Sequence, residues 1–203
     1  MAILPAVSLA QDKWTPELSI HVKRLSDLSF APNGQQLLYG VNSVDLANDR
    51  HLTSFLLSDL EGNSVRTLLP PTAGVSSAQW SPDGRQVAYL SSQSGHNNLW
   101  IVSSEGGQSS QLSDLKQDIS SFRWAPDGKA IGFVMPDPAF EPPPVQNPEV
   151  FNRDHLWLLP VSDGKPAGPI VNLTEEQGFT VSTWAGNWAY DWSPDSTRIV
   201  FAH

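Results

Sequence analysis

Apolar and polar positions alternate residue by residue in short runs along this chain, and turns punctuate the runs. The clearest example is Gln79-Trp80-Ser81-Pro82-Asp83-Gly84-Arg85-Gln86-Val87-Ala88-Tyr89-Leu90. A period of two is the side-chain period of a half-buried strand, so the stretch predicts a β-hairpin. Pro presets φ for the first central position of a type I turn, Asp suits the second, and Gly takes the left-handed position that closes a bulged hairpin. The same pattern recurs at Leu28 to Tyr39 around Pro32-Asn33-Gly34, at Phe122 to Phe133 around Pro126-Asp127-Gly128, and at Asp191 to Phe201 around Pro194-Asp195-Ser196. An aromatic stands two residues before each Pro: Phe30, Trp80, Trp124 and Trp192. Each copy is therefore expected to carry an aromatic knob on its buried face. In the fourth copy Ser196 replaces the expected Gly, at a cost of about 1–2 kcal/mol if the left-handed backbone is kept.

Two further strands follow each hairpin. In the first unit residues 53 to 60 and Val65 to Leu69 flank the turn Glu61-Gly62-Asn63; in the second, Asn98 to Val102 and Gln111-Leu112 flank Glu105-Gly106-Gly107. In the third, His155 to Val161 and Ile170 to Leu173 flank Ser162-Asp163-Gly164. The motif prolines 32, 82, 126 and 194 stand 50, 44 and 68 residues apart. A four-stranded unit of roughly 42–45 residues is the size of a β-propeller blade. The expected fold is all-β: a partial propeller of about three and a half four-stranded antiparallel blades, over 28–69, 78–115, 122–173 and a half blade from 190 to 203. Thr15-Pro16-Glu17 before Leu18, Ile20 and Val22 predicts a short helix to Arg24, within an N-terminal lead-in of residues 11–27.

In such a meander the turns between first and second strands share one face with those between third and fourth strands, and both kinds are short. The remaining connections lie on the opposite face, which takes every insertion: residues 42–51, 136–154 and 174–190. Binding usually resides on elaborated loops. The insertion after Met135 is rich in Pro and favours extended polyproline conformation. The last one carries Phe179, Trp184, Trp188 and Tyr190, which either stack a ligand or neighbouring domain or plug the end of the blade. The candidate substrate or partner residues of this face are Arg50, Phe151, Arg153, Glu175, Glu176, Trp184 and Trp188.

Composition narrows the chemistry. Gly and Pro number 14 and 17 and charged residues only 16%, as suits many short strands joined by turns. A net charge of −9 argues against nucleic acid or an anionic membrane as partner. With no cysteine there is no disulfide, thiolate site or cysteine nucleophile. The five histidines show no metal-ligand spacing, and Asp45, Asn48 and Asp49 lack the twelve-residue calcium-loop spacing, so neither metal nor cofactor is expected. Asn172-Leu173-Thr174 forms a glycosylation sequon, and no run of eighteen apolar residues spans a membrane. Residues 1–10, MAILPAVSLA, read as the end of a signal peptide, which points to a periplasmic or secreted protein; a plain N-terminal tail, and with it a cytoplasmic protein, is the other reading.

The aromatic, Pro-Asp-Gly and apolar finish of the hairpins resembles the WD-like repeats of TolB-type propellers. Such repeats also form the N-terminal propeller of prolyl oligopeptidase-family serine peptidases. Arg24 to Pro32 and the run Leu156-Trp157-Leu158-Leu159-Pro160-Val161 resemble acylaminoacyl-peptidase and dipeptidyl-aminopeptidase members. The likeness implies a propeller that screens peptide for a C-terminal hydrolase domain with a Ser-His-Asp triad. No G-x-S-x-G occurs here, so no catalytic residue is assigned. Glu175-Glu176 is similar to the glutamate pair that holds a peptide amino terminus in dipeptidyl peptidases, without the surrounding motif. Propellers close with about four to eight blades, so the expectation is an N-terminal part of a longer protein, with apolar surface on both flanks. Its partners would be peptide substrate and the hydrolase domain. The alternative is a TolB-like module that docks other proteins.

Overall fold

The computed structural model describes residues 22–138, 154–175, 181 and 190–201. Its first sheet holds β1 (Arg24–Phe30), β2 (Gln36–Asp45), β3 (Arg50–Asp59) and β4 (Val65–Ala73), in chain order. The second holds β5 (Val75–Trp80), β6 (Gln86–Ser91), β7 (Asn98–Ser103) and β8 (Ser110–Gln111). In the third, β9 (Ser121–Trp124), β10 (Ala130–Pro136) and β11 (Asp154–Ser162) are joined by two short strands, β12 (Lys165–Pro166) and β13 (Val171–Asn172), which both pair with β11. A hairpin of β14 (Tyr190–Trp192) and β15 (Ile199–Phe201) completes the described chain. Every pairing is antiparallel. The molecule is all-β, an arc of three four-stranded blades and a half.

Three expectations need correction. The insertion at 42–51 is a lengthened hairpin: Asn42 pairs with Thr53, Ser43 with Leu52, Val44 with His51 and Asp45 with Arg50, leaving a four-residue turn. The fourth strand of the third blade is split in two. The anticipated N-terminal helix lies outside the described residues except at its end, where Arg24 opens β1 instead.

The knobs explain how blades join. Trp80 is 8% exposed, in a cluster with Leu38, Phe55 and Val87 between the first two blades. Trp124 sits with Ala88, Phe122, Ile131 and Leu159 between the second and third. Trp192 and Tyr190 lie over Gly132 of the third blade; a Cβ there would meet Tyr190 Cε2 at 3.1 Å and Trp192 Cζ2 at 3.4 Å. The Tyr190 hydroxyl donates to the Gly132 carbonyl at 2.6 Å, an approach open only because that residue has no side chain. So each knob packs on the second strand of the preceding blade, where Leu38, Ala88 and Gly132 occupy one repeat position. Phe30, with no preceding blade among the described residues, is 65% exposed; the expectation of a buried aromatic fails for this copy.

Polar ties run alongside the knobs. Gln79 Nε2 donates to the Phe122 carbonyl at 2.7 Å, and Arg123 Nη1 pairs with Asp191 Oδ1 at 2.9 Å. Both lie one residue before a knob, on the face that alternation directs away from it. The turns stack as well, the glycine of one against the proline of the turn before it: Gly84 on Pro32 and Gly128 on Pro82. Ser196 keeps the left-handed conformation, φ 60°, and its Oγ accepts the Asp127 N–H at 2.9 Å. That bond offsets part of the strain expected of a non-glycine residue.

The Asp of the motif is a turn residue. Asp83 Oδ1 accepts from Ser81 Oγ at 2.6 Å and from the Arg85 N–H at 3.1 Å. The Ser81 bond leads in holding the Asp83 carboxyl below its ordinary value. Asp195 repeats the arrangement with Ser193 and Thr197, and their donors hold it down to about 2.

Candidate functional site at the insertion-bearing face

The face opposite the Pro-Asp-Gly turns is built from three pieces of described chain. The first is the β2–β3 hairpin. Leu46, 58% exposed, lies at its tip with Asn48 and Asp49. Asp45 Oδ2 accepts from Asn48 Nδ2 at 2.7 Å, which leads in holding its carboxyl low, with Arg50 adding an opposite charge. A groove of about 610 Å³ runs beside the hairpin between Val22, Arg24, Asn42, Val44, Leu46 and His51. It offers apolar floor and cationic or imidazole side chains together.

The second piece is the connection from Ser92 to Asn97. Asn98, fully buried, anchors the chain that returns past it: its Oδ1 accepts from Ser113 Oγ and from the Leu115 N–H, both at 2.8 Å. Ser113 Oγ in turn accepts the Leu99 N–H at 2.9 Å. An asparagine engaged in this way replaces the ladder that β8 is too short to supply.

The third piece is the end of the third blade, where the connection after β10 and the connection after β13 both begin. His155 is 3% exposed. Its Nδ1 lies 3.1 Å from the Thr174 carbonyl and 2.9 Å from Thr174 Oγ1, while Nε2 faces Asp137 Oδ2 at 4.0 Å. Thr174 Oγ1 accepts the Leu156 N–H at 3.1 Å, and Asn172 Oδ1 accepts the Thr174 N–H at 3.0 Å. The sequon residues Asn172 and Thr174 are thus spent on internal bonds. Asp154, next to His155, has its carboxyl raised by burial, with the His155 charge opposing. The Asp154 carbonyl accepts the Val181 N–H at 2.8 Å, and Val181 is buried with Val134, Leu156 and Tyr190.

Of the residues anticipated for this face, Arg50 opens β3 opposite Asp45 and is exposed, and Glu175 follows Thr174 and is exposed. They stand on different blades and are not brought together. Phe151, Arg153, Glu176, Trp184 and Trp188 lie outside the described residues, as do Phe179 and the proline-rich run from 139. In the sequence His155 is one of five scattered histidines and draws no notice. Its signal was positional: strand alternation puts it, with Leu159 and Val161, on one face of β11. Among the described residues no group of three or more His, Asp or Glu side chains could hold a metal ion, and no helix is long and apolar enough to cross a membrane.

Comparison with known proteins bears on what such an arc belongs to. The family described as the dipeptidyl peptidase IV N-terminal region matches residues 31–121. The β-propeller domain of the Trilobed protease from Pyrococcus furiosus superposes with a TM-score of 0.52 at 16% identity, over 74% of this chain and 42% of that one. The repeats are TolB-like β-propeller blades. Blades of this kind also form the N-terminal propellers of prolyl oligopeptidase-family peptidases. Dipeptidyl-peptidase 5 of Porphyromonas endodontalis is 26% identical over 99 residues, which are 49% of this chain and 14% of that protein. The Tol-Pal system protein TolB of Chromobacterium violaceum is 28% identical over 104 residues, 50% of this chain and 24% of that one. This TolB-like propeller therefore spans only a small part of the peptidases it matches. It is related to both groups: an N-terminal peptidase propeller on one side, TolB on the other.

Proposed function

We propose that this chain is the N-terminal propeller portion of a prolyl oligopeptidase-family serine peptidase, exported to the periplasm or secreted. It positions and screens peptide for a hydrolase domain, and itself supplies no catalytic group. The observation that carries the reading is the match of the dipeptidyl peptidase IV N-terminal region across the first two blades. The one-sided elaboration of the arc supports it: short turns on one face, and on the other the long β2–β3 hairpin and the roots at Asp137 and Thr174. An extended peptide meets donors, acceptors and apolar surface there, with Arg50 and Glu175 as charged contacts, and with Phe151, Arg153, Glu176, Trp184 and Trp188 proposed on the same face. The test is the reading frame beyond His203, expressed as one protein and assayed on aminoacyl and dipeptidyl anilides. A downstream G-x-S-x-G serine whose replacement abolishes hydrolysis is the expected result; further blades without a hydrolase domain reject the reading.

The TolB match favours a second reading, a propeller that docks envelope proteins. A reciprocal cross-link between the insertion-bearing face and a lipoprotein, in a protein without peptidase activity, is the result that distinguishes it.

A further inference from the structure

The register of the four hairpins locates both halves of every blade junction. Each knob pairs across its hairpin with the residue just before a socket: Phe30 with Leu37, Trp80 with Val87, Trp124 with Ile131 and Trp192 with Ile199. The sockets are therefore Leu38, Ala88, Gly132 and Val200. Trp80, Trp124 and Trp192 each sit at the socket of the blade before. Left over are the knob Phe30, 65% exposed on one outer flank of the arc, and the socket Val200, 70% exposed on the other. The stacked turns leave the same remainder. A Cβ on Gly84 would meet Pro32 Cδ at 3.4 Å, and one on Gly128 would meet Pro82 Cδ at 3.7 Å. Gly34, by contrast, has nothing within 4 Å, and Pro194 at the far end is exposed. Val200 also suits the smaller knob: Leu38 already receives an indole, and valine and phenyl are each one step smaller than leucine and indole.

We propose that the two leftover faces cover each other between two copies of this chain. Phe30 of one copy seats on Val200 of the second, with Gly34 against Pro194 beside it, and the second copy returns the same contact at the other end. The complementarity of two separate contacts, set in the same register at opposite ends of the arc, selects this occupant. Each arc supplies four wedge positions, so two arcs joined at both ends make eight, within the four to eight blades with which propellers close. The contact is heterologous, knob against socket, and closure of the pair satisfies both ends at once. Blades following His203 in a longer polypeptide would take the same two faces, so the pairing belongs to the 203-residue chain by itself and is tested there, apart from the proposed function.

Sedimentation equilibrium of the 203-residue chain tests it. The mass approaches that of two chains at about 100 µM and falls to one chain below about 1 µM, with half-association near about 10 µM. Phe30→Glu sets a carboxylate against Val200 and weakens association at least about thirtyfold. Leu60→Glu, at an exposed apolar residue away from both flanks, leaves it unchanged. Both residues are exposed, so both variants fold, which circular dichroism checks. The chain has no cysteine, so single Phe30→Cys and Val200→Cys proteins can be mixed and oxidised. The expected product is a disulfide between one protein of each kind, mapped by mass spectrometry to positions 30 and 200. A single-chain mass at about 100 µM overturns the pairing, including the case in which residues 1–21 of the same chain cover Phe30. A ladder of species larger than two chains overturns the closed pair. Association untouched by Phe30→Glu, or disulfides that join like variants as readily as unlike ones, overturns the knob-and-socket contact.

Discussion

Replacing the knob Trp124 separates packing from polarity at a blade junction. The side chain is 9% exposed and shares its cluster with Ala88, Ile131 and Val161. Emptying a buried indole site costs about 3–5 kcal/mol, the lost transfer energy plus the cavity left behind. Trp124→Ala is expected to lose that much. Trp124→Phe is the sharper case. The indole Nε1 is buried without an acceptor among the described residues. A buried donor left unpaired costs about 1–3 kcal/mol, whereas trading indole for phenyl gives up roughly 1–2 kcal/mol of apolar burial. The two terms oppose, so Trp124→Phe stays within about 1 kcal/mol of the parent protein. Phe30→Ala is the control: at 65% exposed it occupies the same repeat position outside any buried cluster, and costs under about 1 kcal/mol. Urea unfolding followed by far-ultraviolet circular dichroism supplies midpoints and slopes for all three. If Phe30→Ala costs as much as Trp124→Ala, the knobs do not work by seating on the preceding blade. If Trp124→Phe is as damaging as Trp124→Ala, the unpaired N–H is no burden.

The turn and the last hairpin give the remaining expectations. Ser196→Ala keeps the left-handed backbone and loses the Asp127 bond, so it is less stable than Ser196→Gly by about 1 kcal/mol in thermal melts, because glycine removes the strain that alanine retains. Gly132→Val forces branched atoms into Tyr190 and Trp192, and the resulting overpacking costs about 1–3 kcal/mol, read in the same melts. The Asp195 carboxyl is held down to about 2, so the stability it contributes is present above the ordinary carboxylate value and disappears as pH falls toward 2; Asp195→Asn flattens that part of the acid profile. Burial raises Tyr190 above its ordinary value of 10.0, so its contribution is intact below pH 10 and lost as pH climbs further; Tyr190→Phe removes this alkaline loss, visible in a pH series of melts.

The hairpins were legible because their information is local. Pro82, Asp83 and Gly84 lie within three residues, and the knob two residues before the Pro sets which face is buried. The ties between blades were not legible, since Gln79 finds the Phe122 carbonyl across 43 residues and Arg123 finds Asp191 across 68. Both residues look like ordinary exposed positions of a strand. The β2–β3 insertion misled for a related reason. Asn42, Ser43, Asn48 and Asp49 have loop-like chemistry, yet the pairing partners Leu52 and Thr53 extend the ladder through the first two of them. Composition reports how a residue behaves in isolation, and a ladder rewards it for having a partner. The candidate face was readable as a set of connections, from strand order alone, but not as a site. His155 takes its meaning from Thr174 and Asp137, which only the pairing of β10, β11 and β13 brings together.

Repetition also hides how unlike the three junctions are. Leu38, Ala88 and Gly132 fill one repeat position with steadily smaller side chains, and the last is small enough for the Tyr190 hydroxyl to reach backbone. A knob cut for one socket meets a void or a clash in another, so the blades cannot exchange neighbours although their strands share one pattern. The junction with the smallest side chain at this position is the one whose cluster contains Leu156, the neighbour of His155, and Val181, the partner of Asp154. Packing between the third and fourth blades and the polar root of the insertion-bearing face are therefore one structure. A disturbance at Gly132 should reach the Val181 amide before it reaches the turns on the opposite face.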